Sequence, residues 1–218
     1  MRYNNTMKCA QCGKKKWDSD PALLHFMRHG KTAHNEKSIC TSSLDEPLSE
    51  LGVSQARSIG IVMRESGMGI SAIVSSPMKR AWRTAEIIGE ESLGLEIIRD
   101  DRLRERCVGV LEGKPETPES DAKLLLPDYL PEGATPLVVF ERETGIFLDD
   151  CAKGGFESGT LFITHSFRLL TIIKLIKCLT VEQMYQHYQP PGNCKVVTFG
   201  VANTPCSHCR SSFLVMDE

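Results

Sequence analysis

The sequence predicts an α/β protein, a three-layer αβα sandwich around a mostly parallel central sheet. Two observations lead there. Short apolar runs of strand length, at 22–27, 71–75, 95–98 and 160–164, alternate with longer stretches whose apolar residues recur at helical spacing. The chain, 218 residues long, is also sufficient for one ordinary domain with a substantial core.

Taken in order, residues 1–20 are polar and aperiodic and include Lys14-Lys15-Lys16, so they read as an appendage ahead of a domain spanning 21–218. Ala22 to Met27 reads as a buried strand ending on Arg28, within which His25 is expected to be a core or sheet histidine. Leu51, Val53, Ala56, Ile59, Val62 and Met63 mark a helix that Ser49 can cap and Gly67 can end. Ser71–Ser75 is the next strand, followed by a helix with Pro77 in its first turn that runs to about Glu91. Leu95–Ile98 is a third strand. The Gly-, Pro- and charge-rich stretch 107–135 reads as surface excursions with a short helix near Asp121–Leu125. A helix over 136–152, the strand Thr160–Thr164, a helix over 167–179 and a pair of strands at 195–201 and 211–216 complete the pattern.

The composition is that of a globular chain, 41% hydrophobic and 25% charged, with a formal charge of −2. That balance gives no global reason to bind nucleic acid or an anionic membrane. No apolar run approaches the roughly 18 residues of a membrane span, and Met1–Asn5 lacks a signal-peptide core, so a cytoplasmic protein is expected. The nine cysteines are odd in number and mostly scattered, unlike a secreted disulfide framework. Cys107, Cys151, Cys178 and Cys194 read as small hydrophobes.

Three predicted strands end in chemically pointed residues: Arg28-His29, Ser76-Pro77-Met78-Lys79-Arg80, and His165-Ser166. Carboxyl ends of parallel strands share one rim, so two imidazoles and two guanidiniums can converge there, joined by Glu105 after the third strand. Guanidinium forks bind phosphate oxygens, and a neutral imidazole kept so by neighbouring arginines can attack phosphorus. A carboxyl group beside phosphate can protonate a leaving alkoxide. No metal is needed for such chemistry.

Arg28-His29-Gly30-Lys31-Thr32-Ala33-His34-Asn35 closely resembles the R-H-G-x-T-x-x-N signature of the histidine phosphatase superfamily, the phosphoglycerate mutase-like proteins. The resemblance continues through Asp45–Gly52 with Gln55-Ala56, Ser75-Ser76-Pro77 with Arg80-Ala81, Leu103-Arg104-Glu105 with Glu112-Gly113, and Thr164-His165, covering about residues 23–200 in order. It implies a phosphoglycerate mutase-like fold, His29 as phospho-accepting nucleophile, and a phosphate pocket of Arg28, Arg80, His165 and Asn35. Glu105 is then the proton donor, with Asn193 near the pocket and Thr41 and Ser42 where substrate is often contacted. Two residues depart from the family pattern: Ser166 replaces the usual glycine after the second histidine, and Lys31 stands where an acidic or amide residue is commoner.

The Glu105–His165 interval is shorter than in the mutases, and the blocks around 45–50 and 102–114 resemble the fructose-2,6-bisphosphatase and TIGAR-like branch. The expectation is a phosphatase acting on a phosphorylated small molecule or a phosphoprotein. Its alternatives are a phosphoglycerate mutase and a non-catalytic phospho-ligand or zinc-dependent interaction protein. Cys9-Ala10-Gln11-Cys12 resembles a zinc knuckle, and Cys206-Ser207-His208-Cys209 supplies a second C-x-x-C. The strand directions place both pairs at the end of the sheet opposite the active rim, where Cys9, Cys12, Cys206 and Cys209 can form a structural zinc site.

Overall fold

The computed structural model describes residues 7–14, 20–91, 94–187, 191–207, 209 and 211–216. Strand β1 is Met7–Cys9 and β2 is Ala22–Arg28; β3, β4 and β5 are Ala72–Ser75, Ile97–Arg99 and Thr160–Thr164; β6 and β7 are Val196–Val201 and Phe213–Met216. They form one sheet in the order β1-β7-β6-β2-β5-β3-β4. Pairings from β2 through β5 and β3 to β4 are parallel, and those from β2 through β6 and β7 to β1 are antiparallel.

Two helix pairs cover the sheet because its strands alternate apolar side chains between faces. Leu24, Phe26, Val74 and Phe162 meet Phe147, Leu148 and Cys151 of α5 (Leu137–Ala152) and Leu169, Ile172 and Ile176 of α6 (Ser166–Lys177). Met27, Ile73, Leu161 and Ile163 meet Ala56 and Met63 of α2 (Glu50–Glu65) and Ala81, Ala85, Ile87 and Ile88 of α3 (Lys79–Glu91). Phe26 and Phe162, paired across β2 and β5, stack with ring centroids 4.8 Å apart. The expected three-layer sandwich is thus the observed one, with the antiparallel strands gathered on one side of β2.

Several local differences have plain causes. Pro77 lies two residues before α3 rather than in its first turn, because the Ser76 N–H still bonds the Ile163 carbonyl of β5 and carries the strand pairing past Ser75. The short helix of the 107–135 excursion is α4, Pro118–Lys123, set by a capping box between Thr117 and Ser120. Helices α1 (Ala33–Glu36) and α7 (Val181–His187) are additional. Within the segment expected to be an appendage, residues 1–6 and 15–19, with Lys15 and Lys16, lie outside the described residues, but Met7 and Cys9 are buried in an edge strand. Cys151 and Cys194 are buried as expected, whereas Cys178 is exposed at the left-handed cap of α6 and Cys107 is half-buried.

One close approach governs the active rim. A Cβ on Gly30 would lie 2.5 Å from the carbonyl oxygen of Gly52, and one on Gly52 would lie 2.0 Å from that of Lys31. The turn after β2 therefore rests backbone-to-backbone on the first turn of α2, where Ser49 accepts from the Gly52 N–H and donates from its own N–H to Lys31. Gly52→Ala is expected to destabilise the fold by about 3 kcal/mol in denaturant unfolding, because backbone must move to admit the methyl group. An unchanged midpoint would show that the turn has room.

Candidate active site

Parallel register fixes the centre of the site. Arg28 pairs with Thr164, and Ser75 with Ile163, so β2, β3 and β5 deliver Arg28-His29, Ser76 and His165 to one rim. The two imidazole rings lie 5.1 Å apart between centroids. His29, Arg80 and His165 are all buried.

Hydrogen bonds specify which nitrogen of each ring carries the proton. His29 Nδ1 lies 2.7 Å from the Gly30 carbonyl oxygen, which can only accept, so Nδ1 holds the hydrogen. Nε2 is then the lone-pair nitrogen, and Arg80 Nε donates to it at 3.2 Å. His165 Nε2 lies 2.8 Å from Ser76 Oγ, while its Nδ1 is buried without a partner. Among the described residues the Ser76 hydroxyl hydrogen has no acceptor other than Nε2, so Ser76 donates to that nitrogen and leaves the hydrogen of His165 on Nδ1. Arg28 Nε is a second buried donor without a partner. Together they make a nucleophilic nitrogen beside unpaired donors, which is what an oxyanion needs.

Electrostatics keep both rings neutral. Burial, then Arg80 and Arg28, push His29 well below the ordinary imidazole value of 6.5. The same burial and the charges of Arg80, Arg28 and Arg168 lower His165 likewise.

Arg80 also donates through Nη1 to the Leu44 carbonyl at 2.7 Å and through Nη2 to that of Ser42 at 2.9 Å. Glu112 holds the same loop from the other side, accepting the N–H groups of Ser42 and Leu44 and the hydroxyls of Ser42 and Ser43. Glu105 sits at the N-terminus of α6. Its Oε1 accepts from the N–H groups of Arg106 and Arg168, and its Oε2 from that of Phe167 alone, so Oε2 retains the freer lone pair. Arg168 Nε fixes the preceding Arg104 carbonyl.

The neighbouring cavity is lined by Arg28, Thr41, Ser42, Glu105 and Ser166, together with Arg106, Glu116 and Asp121. Burial raises the carboxyl pKa values of Glu116 and Asp121. The Ser42 hydroxyl is engaged by Glu112 and the Val108 N–H, so it serves the loop. Asn35 and Asn193 are brought together but do not line that cavity; Asn193 Nδ2 donates to the His29 carbonyl at 2.8 Å and braces the nucleophile's backbone. Ser76 and Glu112 fall within motif blocks that resemble the family, but their roles depend on partners that only folding supplies; Glu116 and Asp121 have no sequence signal for the site.

At the opposite end of the sheet, β6 and β7 turn beside Ala22, and β1 ends at Cys9 opposite Leu214. The sulfurs of Cys9, Cys12, Cys206 and Cys209 all lie within 4.8 Å of one another.

A family model described as the histidine phosphatase superfamily (branch 1) matches residues 24–207. A Yersinia pestis protein described as "probable phosphoglycerate mutase GpmB" is 32% identical over 155 residues, 67% of this chain and 70% of its own. Among solved structures, a mycobacterial glucosyl-3-phosphoglycerate phosphatase bound to VO3 superposes with a TM-score of 0.69 at 25% identity, covering 82% of this chain and 92% of its own. The Entamoeba histolytica phosphoserine phosphatase shares the fold, with a TM-score of 0.68 at 22% identity, 84% of this chain and 95% of its own. Among the described residues, no helix is long and apolar enough to cross a membrane.

The neutral imidazoles have a thermodynamic signature. In the unfolded chain they charge near 6.5, and in the folded protein only at lower pH. Between those values the unfolded state binds more protons, so stability falls as pH drops through that window. Unfolding by urea at about pH 7.5 and about pH 5.5 should show a smaller acid loss for His29→Gln/His165→Gln than for the parent. Equal losses would mean that the rings are not held neutral.

Proposed function

The chain belongs to the histidine phosphatase superfamily, and on that premise we propose that it hydrolyses a phosphate monoester through a phosphohistidine on His29. The observation that carries this reading is the tautomer of His29, whose Nδ1–H is held by Gly30 while Nε2 faces Arg80, near the unpaired donors of Arg28 and His165.

In the proposed reaction the phosphate takes up the Arg28 and His165 donors, and Arg80 exchanges the Ser42 and Leu44 carbonyls for phosphate oxygens. Nε2 of His29 forms a bond to phosphorus as the ester P–O bond breaks. The leaving oxygen receives a proton from Glu105 Oε2. Glu105 then takes a proton from water as that water attacks the phosphohistidine, releasing inorganic phosphate and restoring the acid. This chain's residues accomplish both steps without metal.

The cavity favours a leaving group rich in hydrogen-bond donors, such as a polyol or an amine, because Glu116 and Asp121 line it beside Glu105. A phosphorylated small molecule is the preferred substrate, ahead of a phosphoprotein. The relative described as a mutase supports a second reading, phosphate transfer between phosphoglycerate isomers. The two carboxylates oppose it, since they would face the carboxylate of a phosphoglycerate. A coupled assay for isomer interconversion distinguishes the two.

His29→Ala is expected to lower aryl-phosphate hydrolysis by about three orders of magnitude or more, and to abolish an acid-labile phosphoenzyme trapped from the parent. Retained turnover would overturn the mechanism. Glu105→Gln should slow alkyl phosphates about a hundredfold or more and aryl phosphates much less. Equal losses would remove Glu105 as the acid.

A further inference from the structure

We propose that Cys9, Cys12, Cys206 and Cys209 bind one zinc ion through four thiolates, clipping the N-terminal edge strand to the β6–β7 turn at the end of the sheet remote from the active site. This proposal does not rest on the phosphatase reading.

The sulfur geometry suits a tetrahedral ion. Cys9 and Cys209 Sγ are 3.4 Å apart, Cys12 and Cys206 Sγ are 3.5 Å apart, and the whole set lies within 4.8 Å. Zn–S bonds of about 2.3 Å in a tetrahedron separate sulfurs by about 3.8 Å, whereas a disulfide requires about 2.0 Å. Among the described residues the set consists of sulfurs alone, with no carboxylate that would favour a hard cation.

The backbone supplies an independent reason. In the first C-x-x-C turn the Cys9 N–H donates to the Lys14 carbonyl at 2.7 Å; in the second the Cys206 N–H donates to that of Ser211 at 2.8 Å. Both closures join the first cysteine to the residue five positions on. The amide groups of Lys14 and Ser211, each two residues past the second cysteine, bear on the sulfurs of Cys12 and Cys209. Two segments nearly two hundred residues apart thus share the same closing contact and present their sulfurs to a common point. Lys14 Nζ adds a direct tie to Ser207 Oγ at 2.6 Å, and its cationic charge opposes the net negative charge of a four-thiolate zinc centre.

The site also answers a structural need. Strand β1 has three residues and, among the described residues, pairs with β7 alone, itself an antiparallel addition to the sheet. Its apolar support is the small cluster of Met7, Ala202 and Leu214 with Leu23. A zinc ion spanning both turns closes almost the whole chain into a loop, and its binding releases the thiol protons to solvent.

The test is metal analysis of the full chain purified under reducing conditions with zinc supplied. About one equivalent of zinc is expected, released by a thiol-reactive mercurial, and cobalt substitution should give the intense visible absorption of tetrahedral thiolate coordination. Cys12→Ser and Cys209→Ser should lose the zinc and lower Tm by roughly 5 °C or more, with kcat/KM unchanged below the transition. Cys178→Ser, outside the cluster, should keep it. Zinc far below stoichiometry, retention of zinc in Cys12→Ser, iron in its place, or two native disulfides by mass would each overturn the proposal. If the serine variants fail to fold, mercurial release and cobalt spectra of the parent still decide it.

Discussion

Chemistry at this rim depends on the bond from His29 Nδ1 to the carbonyl of its own neighbour, Gly30. An imidazole has two nitrogens, and only the one without hydrogen is a nucleophile. With Nδ1 committed, Nε2 is the lone-pair atom in every microstate that keeps the ring neutral. The Gly30 carbonyl is itself held by the docking of the turn onto α2, where Gly30 and Gly52 leave no volume for a Cβ. The glycine of the Arg28-His29-Gly30 motif and the glycine at the start of α2, far apart in sequence, therefore act as one packing unit, and the tautomer follows from backbone contact.

A second constraint is charge. Two guanidiniums and two imidazoles share a buried rim, and the arginines can remain there only with compensating acceptors. Arg80 finds them in the carbonyls of Ser42 and Leu44 and in His29 Nε2. Arg28 Nε and His165 Nδ1 find none among the described residues. A phosphate group would satisfy those donors and offset the positive field, so the site gains on binding what it lacks when empty. Ser76 contributes by fixing the His165 proton on the side that faces no protein acceptor.

The strands and the main helices were legible because their signals are local. Phe26 and Phe162 sit in short apolar runs bounded by polar residues, and Ser49 precedes a periodic stretch it can cap. The rim residues were legible because parallel strands deliver their carboxyl ends together whatever their spacing in sequence. Strand β1 was not: Met7-Lys8-Cys9 has no strand signature and is ordered by β7. Glu112 and Ser76 were not either, since their partners lie 70 and 89 residues away and are defined only by the folded loop geometry. Ser42 illustrates the reverse case, a hydroxyl rightly placed at the cavity but turned to its own loop.

The sheet divides its labour along its width. From β2 through β5 and β3 to β4 it is parallel, and its inner strands are buried under two pairs of helices, with β4 exposed at the edge. From β6 to β1 it is antiparallel, and its last strand is short and lightly packed. Asn193 and the Cys194 N–H tie the start of β6 to the backbone of His29 and Arg28, so disorder spreading inward from the outer edge would reach the nucleophile through β6. Order as far out as β6, rather than at the edge strand itself, is therefore the condition for a well-placed His29. The cysteine cluster lies where a cross-link would confine fraying to the strand at which it begins.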